Sequence, residues 1–168
     1  MLRQVVAMDF YEVVRTRRSI RSYRPDPIPE DALNRVLEAA RIAPSGSNRQ
    51  PWRFIVVKDV GLKKRLVPAC GNQGFIAEAP MVIVACGRAA PIDVSIAFTH
   101  LILAARAEGL GTCWIGSFDN EKVKEVLGIP EGFNVVAVTP LGYPAGEGFR
   151  EPSSRKPLSE IVSLDGFK

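Results

Sequence analysis

Two short stretches of the chain hold the residue types best suited to chemistry. In Arg17-Arg18-Ser19-Ile20-Arg21, three guanidinium groups and a hydroxyl fall within five residues. In extended chain, residues two apart project the same way, so Arg17, Ser19 and Arg21 can converge on one point. Forked guanidinium donors match the oxygens of a phosphate dianion in pairs, which lysine cannot reproduce. The same cluster also reads as a solvated basic turn after a helix. The second stretch, Pro44-Ser45-Gly46-Ser47-Asn48-Arg49-Gln50-Pro51-Trp52, is a loop bracketed by prolines. Its hydroxyls and amides can donate to carbonyl oxygens and ring nitrogens along the edge of a planar heterocycle. Ser47 and Arg49 fit an ordinary polar turn equally well. Asn48 and Gln50 stand at fixed offsets from a proline and a tryptophan, and Trp52 can anchor the loop in a core.

Helices and strands alternating over short connections must position these stretches. Asp9 can cap a helix running to about Thr16, and residues 19–23 alternate as extended chain. Pro25, Pro27 and Pro29 stiffen the link that follows. Residues 29–40 form an amphipathic helix with Leu33, Val36, Leu37 and Ala40 on one face. Pro29 is expected in its first turn, with Glu30 and Asp31 favouring its positive end. Residues 54–57 and 81–86 are short apolar runs, read as buried strands. A basic helix over 61–67 is expected to stop at Pro68, before a loop with a helical turn over 69–79. Residues 92–108 are apolar on nearly all sides, which predicts a central helix or one in a subunit interface. Gly109 and Gly111 end it. A third strand is expected over 112–115, an Asp119-capped helix to Leu127, a fourth strand over 133–138, and one helical turn at 158–162.

At 168 residues the chain reads as one domain over residues 8–168, with residues 1–7 an extension ahead of a second start at Met8. Hydrophobic residues are 46% of it, enough for a core without disulfides or metal. Mean hydropathy is +0.06, which leaves apolar surface for a dimer interface to hide. The net charge of +4 is scattered rather than gathered into a stripe, which argues against nucleic acid. One histidine and three cysteines without CxxC spacing are too few for a His/Cys metal site. Cys86 and Cys113 lie in apolar runs as small buried thiols, and a reducing cytoplasm fits. No run is long enough to span a membrane, and the first residues lack the apolar stretch of a signal peptide. Gly109-Leu110-Gly111 follows a helix and precedes a strand, the reverse of the dinucleotide fingerprint, and Trp114 stands where its third glycine would.

Residues 8–162 resemble the nitroreductase family of FMN-dependent NAD(P)H oxidoreductases in its short, compact form. The matching motifs are Arg17-Arg18-Ser19-Ile20-Arg21, then Pro44-Ser45-x-x-Asn48-x-Gln50-Pro51-Trp52, then Ala104-Ala105-x-x-x-Gly109-Leu110-Gly111-Thr112-Cys113-Trp114-Ile115-Gly116. Leu141-Gly142-Tyr143-Pro144 and Arg155-Lys156-Pro157-Leu158 complete the pattern. FMN is a ligand with both needs, a phosphate and a carbonyl-edged heterocycle. The resemblance implies an α+β, three-layer α/β/α fold with a central, mostly antiparallel sheet, in an intertwined homodimer with FMN at the interface.

By the same resemblance, Arg17, Ser19 and Arg21 hold phosphate and flavin edge, with Arg18 beside them. Ser45 and Asn48, in the Pro44–Gln50 loop with Gly46, reach the flavin from the second subunit. Gln73 borders it, Ile115 and Gly116 offer a backbone N–H, and Arg155 and Lys156 close on the phosphate. The implied activity is ping-pong: NADH or NADPH gives hydride to the flavin and leaves, and a nitroaromatic, quinone or similar small acceptor follows. No side chain is expected to act as acid or base, because the protein positions and tunes the cofactor. The alternatives are another flavin reaction on the same fold, reductive dehalogenation or oxygen-dependent flavin breakdown, or a non-catalytic flavin-binding module. The segment between Pro68 and Pro80 is short where larger members build a lid. His100 is expected to be a packed or interface histidine, and Cys113 to pack beside the cofactor.

Overall fold

The computed structural model describes residues 8–167, so the expected N-terminal extension lies outside the described residues. The elements, in chain order, are α1 (Phe10–Thr16), α2 (Glu30–Arg41), a 3-10 turn (Gly46–Asn48), β1 (Trp52–Val57), α3 (Val60–Ala69), α4 (Phe75–Glu78) and β2 (Met81–Gly87). They continue with α5 (Pro91–Ala107), β3 (Gly111–Thr112), α6 (Asn120–Leu127), β4 (Asn134–Gly142) and α7 (Leu158–Ile161). The four strands pair antiparallel in the order β1-β2-β4-β3.

Why three layers form can be read from β2. Every residue of it is buried, so its two faces must both be covered. Met81, Ile83 and Ala85 pack with α2 and α5 through Val36, Phe98 and Leu101. Val82 and Val84 face the other way, onto Leu66 of α3, Ile76 of α4 and Val123 of α6. The expected α+β sandwich of helices around a sheet is found. Its middle is α5, whose buried Val94, Ala97, Phe98, Leu101 and Ala105 cover one sheet face.

Several boundaries differ from expectation, among them β1, which starts at Trp52. α3 continues through Pro68 to Ala69, because a proline loses only its own N–H and the Cys70 N–H closes the turn onto the Leu66 and Val67 carbonyls. Pro29 stands at the N-cap of α2, one residue outside its first turn. The third strand covers only Gly111–Thr112. Beyond it the Cys113 N–H takes the Thr139 hydroxyl at 3.0 Å in place of a strand partner, Trp114 swings out to 40% exposure, and Ile115 rejoins only as an isolated bridge to Val138. β4 runs past Val138 to Gly142, and it tolerates Pro140 because β3 pairs only with Leu141 and Gly142. Among the described residues no helix is long and apolar enough to cross a membrane.

Candidate functional site

The basic arm is placed by α1 and the sheet edge. Asp9 caps α1, accepting from the Tyr11 and Glu12 N–H groups at 2.9 and 3.3 Å. The helix ends at Arg17, and the chain then runs extended beside β3. Ser19 bridges Thr112, the Ile20 N–H donates to the Thr112 carbonyl at 2.8 Å, and the Arg24 N–H donates to Tyr143 at 2.9 Å. Ile20 and Tyr23 are buried, and the Tyr23 hydroxyl donates to the Ile20 carbonyl at 2.6 Å. The arm is therefore pinned at every second residue.

Alternation sorts the polar side chains between two sides. Arg17, Ser19 and Arg21 all act on the Cys113 thiol. Burial pushes that thiol up, while Arg21, a hydrogen bond with Ser19, and Arg17 pull it down. Arg17 and Ser19 also line a cleft of about 290 Å³ with Thr99, Ile102, Leu103 and Trp114. Arg18 turns toward the tail. Desolvation first, then Arg155, Arg17 and Arg150, lowers its guanidinium below the usual arginine value, with Glu151 opposing. Its Nη atoms donate to the Arg17 carbonyl and, at 2.9 Å, to the Arg15 carbonyl. Among the described residues none of Arg17, Arg18, Arg21, Arg150 and Arg155 is ion-paired. Like charges held together, with Glu151 the carboxylate that partly offsets them, are a donor set that a phosphate dianion such as that of FMN would neutralise. Arg150 is missed by the sequence reading, although a basic residue just after Gly148 in the same tail as Arg155 was a visible signal.

The amide loop is strained. Ser47, Asn48 and Gln50 hold φ of 51°, 55° and 50°, the left-handed region, at a cost of order 1 kcal/mol each for a side chain other than glycine. Three contacts over-determine it. The Ser45 hydroxyl accepts from the Gln50 N–H at 2.9 Å, Gln50 Nε2 donates to the Asn48 carbonyl at 3.0 Å, and Asp93 accepts from the Gly46 N–H at 3.2 Å. Pro44 and Asn48 are exposed, so the loop presents its edge outward. Ser45 and Gln50 are thus partly committed inside the loop, and Asn48 is left as its outward amide.

The remaining expected residues are dispersed. Gln73 is half-buried and donates to the Cys70 carbonyl at 2.9 Å. The Ile115 N–H is taken by the Val138 carbonyl at 2.9 Å, so of that pair only the exposed Gly116 can offer a backbone donor. Arg155 lies near Arg18, while Lys156 sits 3.7 Å from Glu160. In one protomer the loop and the arm are kept apart by α5. Asp93, which holds the loop, and Ile102, beside the arm, are nine residues apart, about 14 Å along the helix and on opposite sides of it. An apolar groove of about 340 Å³ opens next to the cleft, between α1, α2 and α5, with Phe10, Ile42, His100 and Leu103 in its walls.

Comparison with known proteins places this geometry among relatives. The profile of the Nitroreductase family matches in two overlapping segments, residues 14–90 and 69–143. The chain is 36% identical over 188 residues to an NADH dehydrogenase of Thermus thermophilus, covering 87% of this chain and 91% of that one. Among solved structures, a nitroreductase family protein of Clostridium novyi NT superposes with a TM-score of 0.81 at 37% identity, over 86% of this chain and 89% of that one. The NADPH:FMN oxidoreductase of Vibrio harveyi complexed with NAD+ superposes with a TM-score of 0.88 at 25% identity, over 95% and 78%. Relatives with other activities are also similar. They include an iodotyrosine deiodinase of Thermotoga neapolitana, 26% identical over 90% of this chain and 95% of that one. A 5,6-dimethylbenzimidazole synthase of Rhodospirillum rubrum is 30% identical over 78% and 80%.

Proposed function

The chain belongs to the nitroreductase family, and from that premise we propose that it is an FMN-dependent NAD(P)H oxidoreductase reducing nitroaromatic, quinone or similar small acceptors. What supports this reading is Arg17 in the lining of a cleft walled by Trp114, and Arg18 next to it, whose guanidinium Arg155 and Arg150 bear on; among the described residues none of the four is in an ion pair. When bound, FMN supplies the two-electron chemistry, taking hydride from the nicotinamide and giving it to the acceptor. The chain supplies the rest.

Arg18, Arg150 and Arg155 hold the phosphate, with Lys156 reaching it from the tail, and Ser19 offers its hydroxyl to the bound group from the cleft side. Arg17 and Arg21, on the cleft side of the arm, favour negative charge in the bound group. Pro44, Ser45, Gly46, Asn48 and Gln50 present the amide-bearing edge from a second copy, and Gln73 and Gly116 border the ring. Trp114 packs edge-on against Phe98, with centroids 4.7 Å apart at 85°, which fixes the indole as a wall that excludes water. The cleft lining of arginine, serine, threonine, apolar and indole groups holds no carboxylate or imidazole, in keeping with a protein that positions rather than transfers protons.

A homodimer follows from the same reading. The loop and arm lie on opposite sides of α5, so a two-fold pairing along this helix brings one copy's loop to the other's arm and covers the apolar groove at His100. Residues 8–168 act as one FMN-binding domain, and the three free, buried cysteines fit a reducing cytoplasm.

The test is a visible spectrum of protein reconstituted with FMN, followed by anaerobic titration with NADH and NADPH. Bleaching with at least one nicotinamide, and parallel double-reciprocal lines in turnover, are expected; a bound flavin that neither reduces overturns the proposal. The similarity to a deiodinase and a benzimidazole synthase keeps a second reading on the same fold, dehalogenation or flavin breakdown. Flavin fragments appearing when the reduced protein meets air would favour it.

A further inference from the structure

We infer that Arg106 is the positioning residue for the phosphate end of the site, an inference that rests on the flavin reading above. Arg106 lies one residue from the end of α5 and is only 7% exposed. A guanidinium withdrawn from water is costly unless its donors and its face are used. Both are. Its Nε donates to Thr16 Oγ1 at 3.0 Å, and its guanidinium carbon lies 4.0 Å from the centre of the Phe149 ring.

Those two partners belong to the segments that carry the cationic cluster. Thr16 is the last residue of α1, directly before Arg17 and Arg18. Its hydroxyl donates to the Glu12 carbonyl at 2.7 Å, which leaves its lone pairs for Arg106. Phe149 directly precedes Arg150 and packs with the cluster of Ile20 and Tyr23 that anchors the arm. One buried cation therefore ties the start of the arm to the tail.

The competing tie is weaker. Arg15 Nε reaches Glu151 at 2.9 Å, but both side chains are about 60% exposed, where ion pairs contribute little. Against this stands the repulsion that Arg155 and Arg150 exert on Arg18, partly offset by Glu151, which favours drift of the tail from the arm while no anion is bound. Arg106 opposes that drift and pre-organises the donors, without touching the phosphate itself.

Riboflavin differs from FMN by the phosphate alone, so affinities for the two, measured side by side, isolate this end of the site. Wild type is expected to favour FMN. R106M should weaken FMN about tenfold, the loss of one charge-assisted contact, with riboflavin affinity unchanged. R106K should recover part of that loss, and T16V and F149L should each move the ratio in the same direction. Amide exchange in residues 149–155 of the flavin-free protein should rise in R106M.

Wild-type discrimination that survives in R106M, T16V and F149L, or equal loss of both flavins, overturns the inference. If R106M does not fold, T16V and F149L decide by the same ratio. A wild-type protein that binds both flavins equally overturns the phosphate assignment beneath it, a distinguishable result.

Discussion

Individual arginines carry the heaviest functional burden in this protein. R155Q and R18Q are each expected to weaken FMN binding about tenfold, with a smaller effect on riboflavin; flavin fluorescence titration at fixed ionic strength reads both. The arginine cluster of residues 17–21 is legible because strand alternation is a local rule; Arg17, Ser19 and Arg21 all act on the Cys113 thiol, while the charges acting on Arg18 include those of the tail. Arg150 is not legible as its neighbour, since nothing local relates residue 18 to residue 150. Buried thiols make a separate prediction. Burial pushes Cys70 up to about 11. An acid whose folded value exceeds its unfolded one contributes stability in full below the unfolded value. That contribution is lost as pH rises through the folded value. Urea unfolding should show wild type losing stability against C70A between about pH 9 and 11, and a constant difference across that range would refute the assignment.

Secondary elements meet the arm through one close approach. A Cβ built on Gly111 would stand 2.7 Å from Ile20 Cγ1 and 2.9 Å from its Cβ, so only glycine lets the arm lie against β3. G111A should cost about 1–3 kcal/mol, as an overpacked core does, and should also weaken flavin binding by displacing residues 17–21. Thermal melts and FMN titration of the same variant check both halves. The helices α2, α5 and α6 are readable from periodicity and caps, and Asp119 does cap α6 by accepting from the Lys122 N–H at 3.1 Å. Strand ends are less readable. The third strand stops early because the Thr139 side chain, 26 residues away, captures the Cys113 N–H.

The described residues leave surface that a single copy does not explain. Phe10, Ile42 and Ile92 are exposed, and the groove beside α5 is walled by apolar groups around His100. Patches of this kind mark interfaces. If the proposed pairing along α5 is right, I42K, in the groove and outside the cleft lining, should shift sedimentation from dimer to monomer and release flavin together with it. A monomer that keeps stoichiometric FMN would separate the pairing from the site.

Residue order alone carried the periodic helices, the fully buried strand β2, the basic arm and the amide loop, because each depends on neighbours a few positions away; β1, read as buried, is half-buried at Phe54, Ile55 and Val56. The fold had to supply the rest: Arg150 near the arm, the occupied Ile115 N–H, and the separation of loop from arm across α5. Those relations join residues distant in sequence. They are set by how the two sheet faces are packed, which no local pattern encodes.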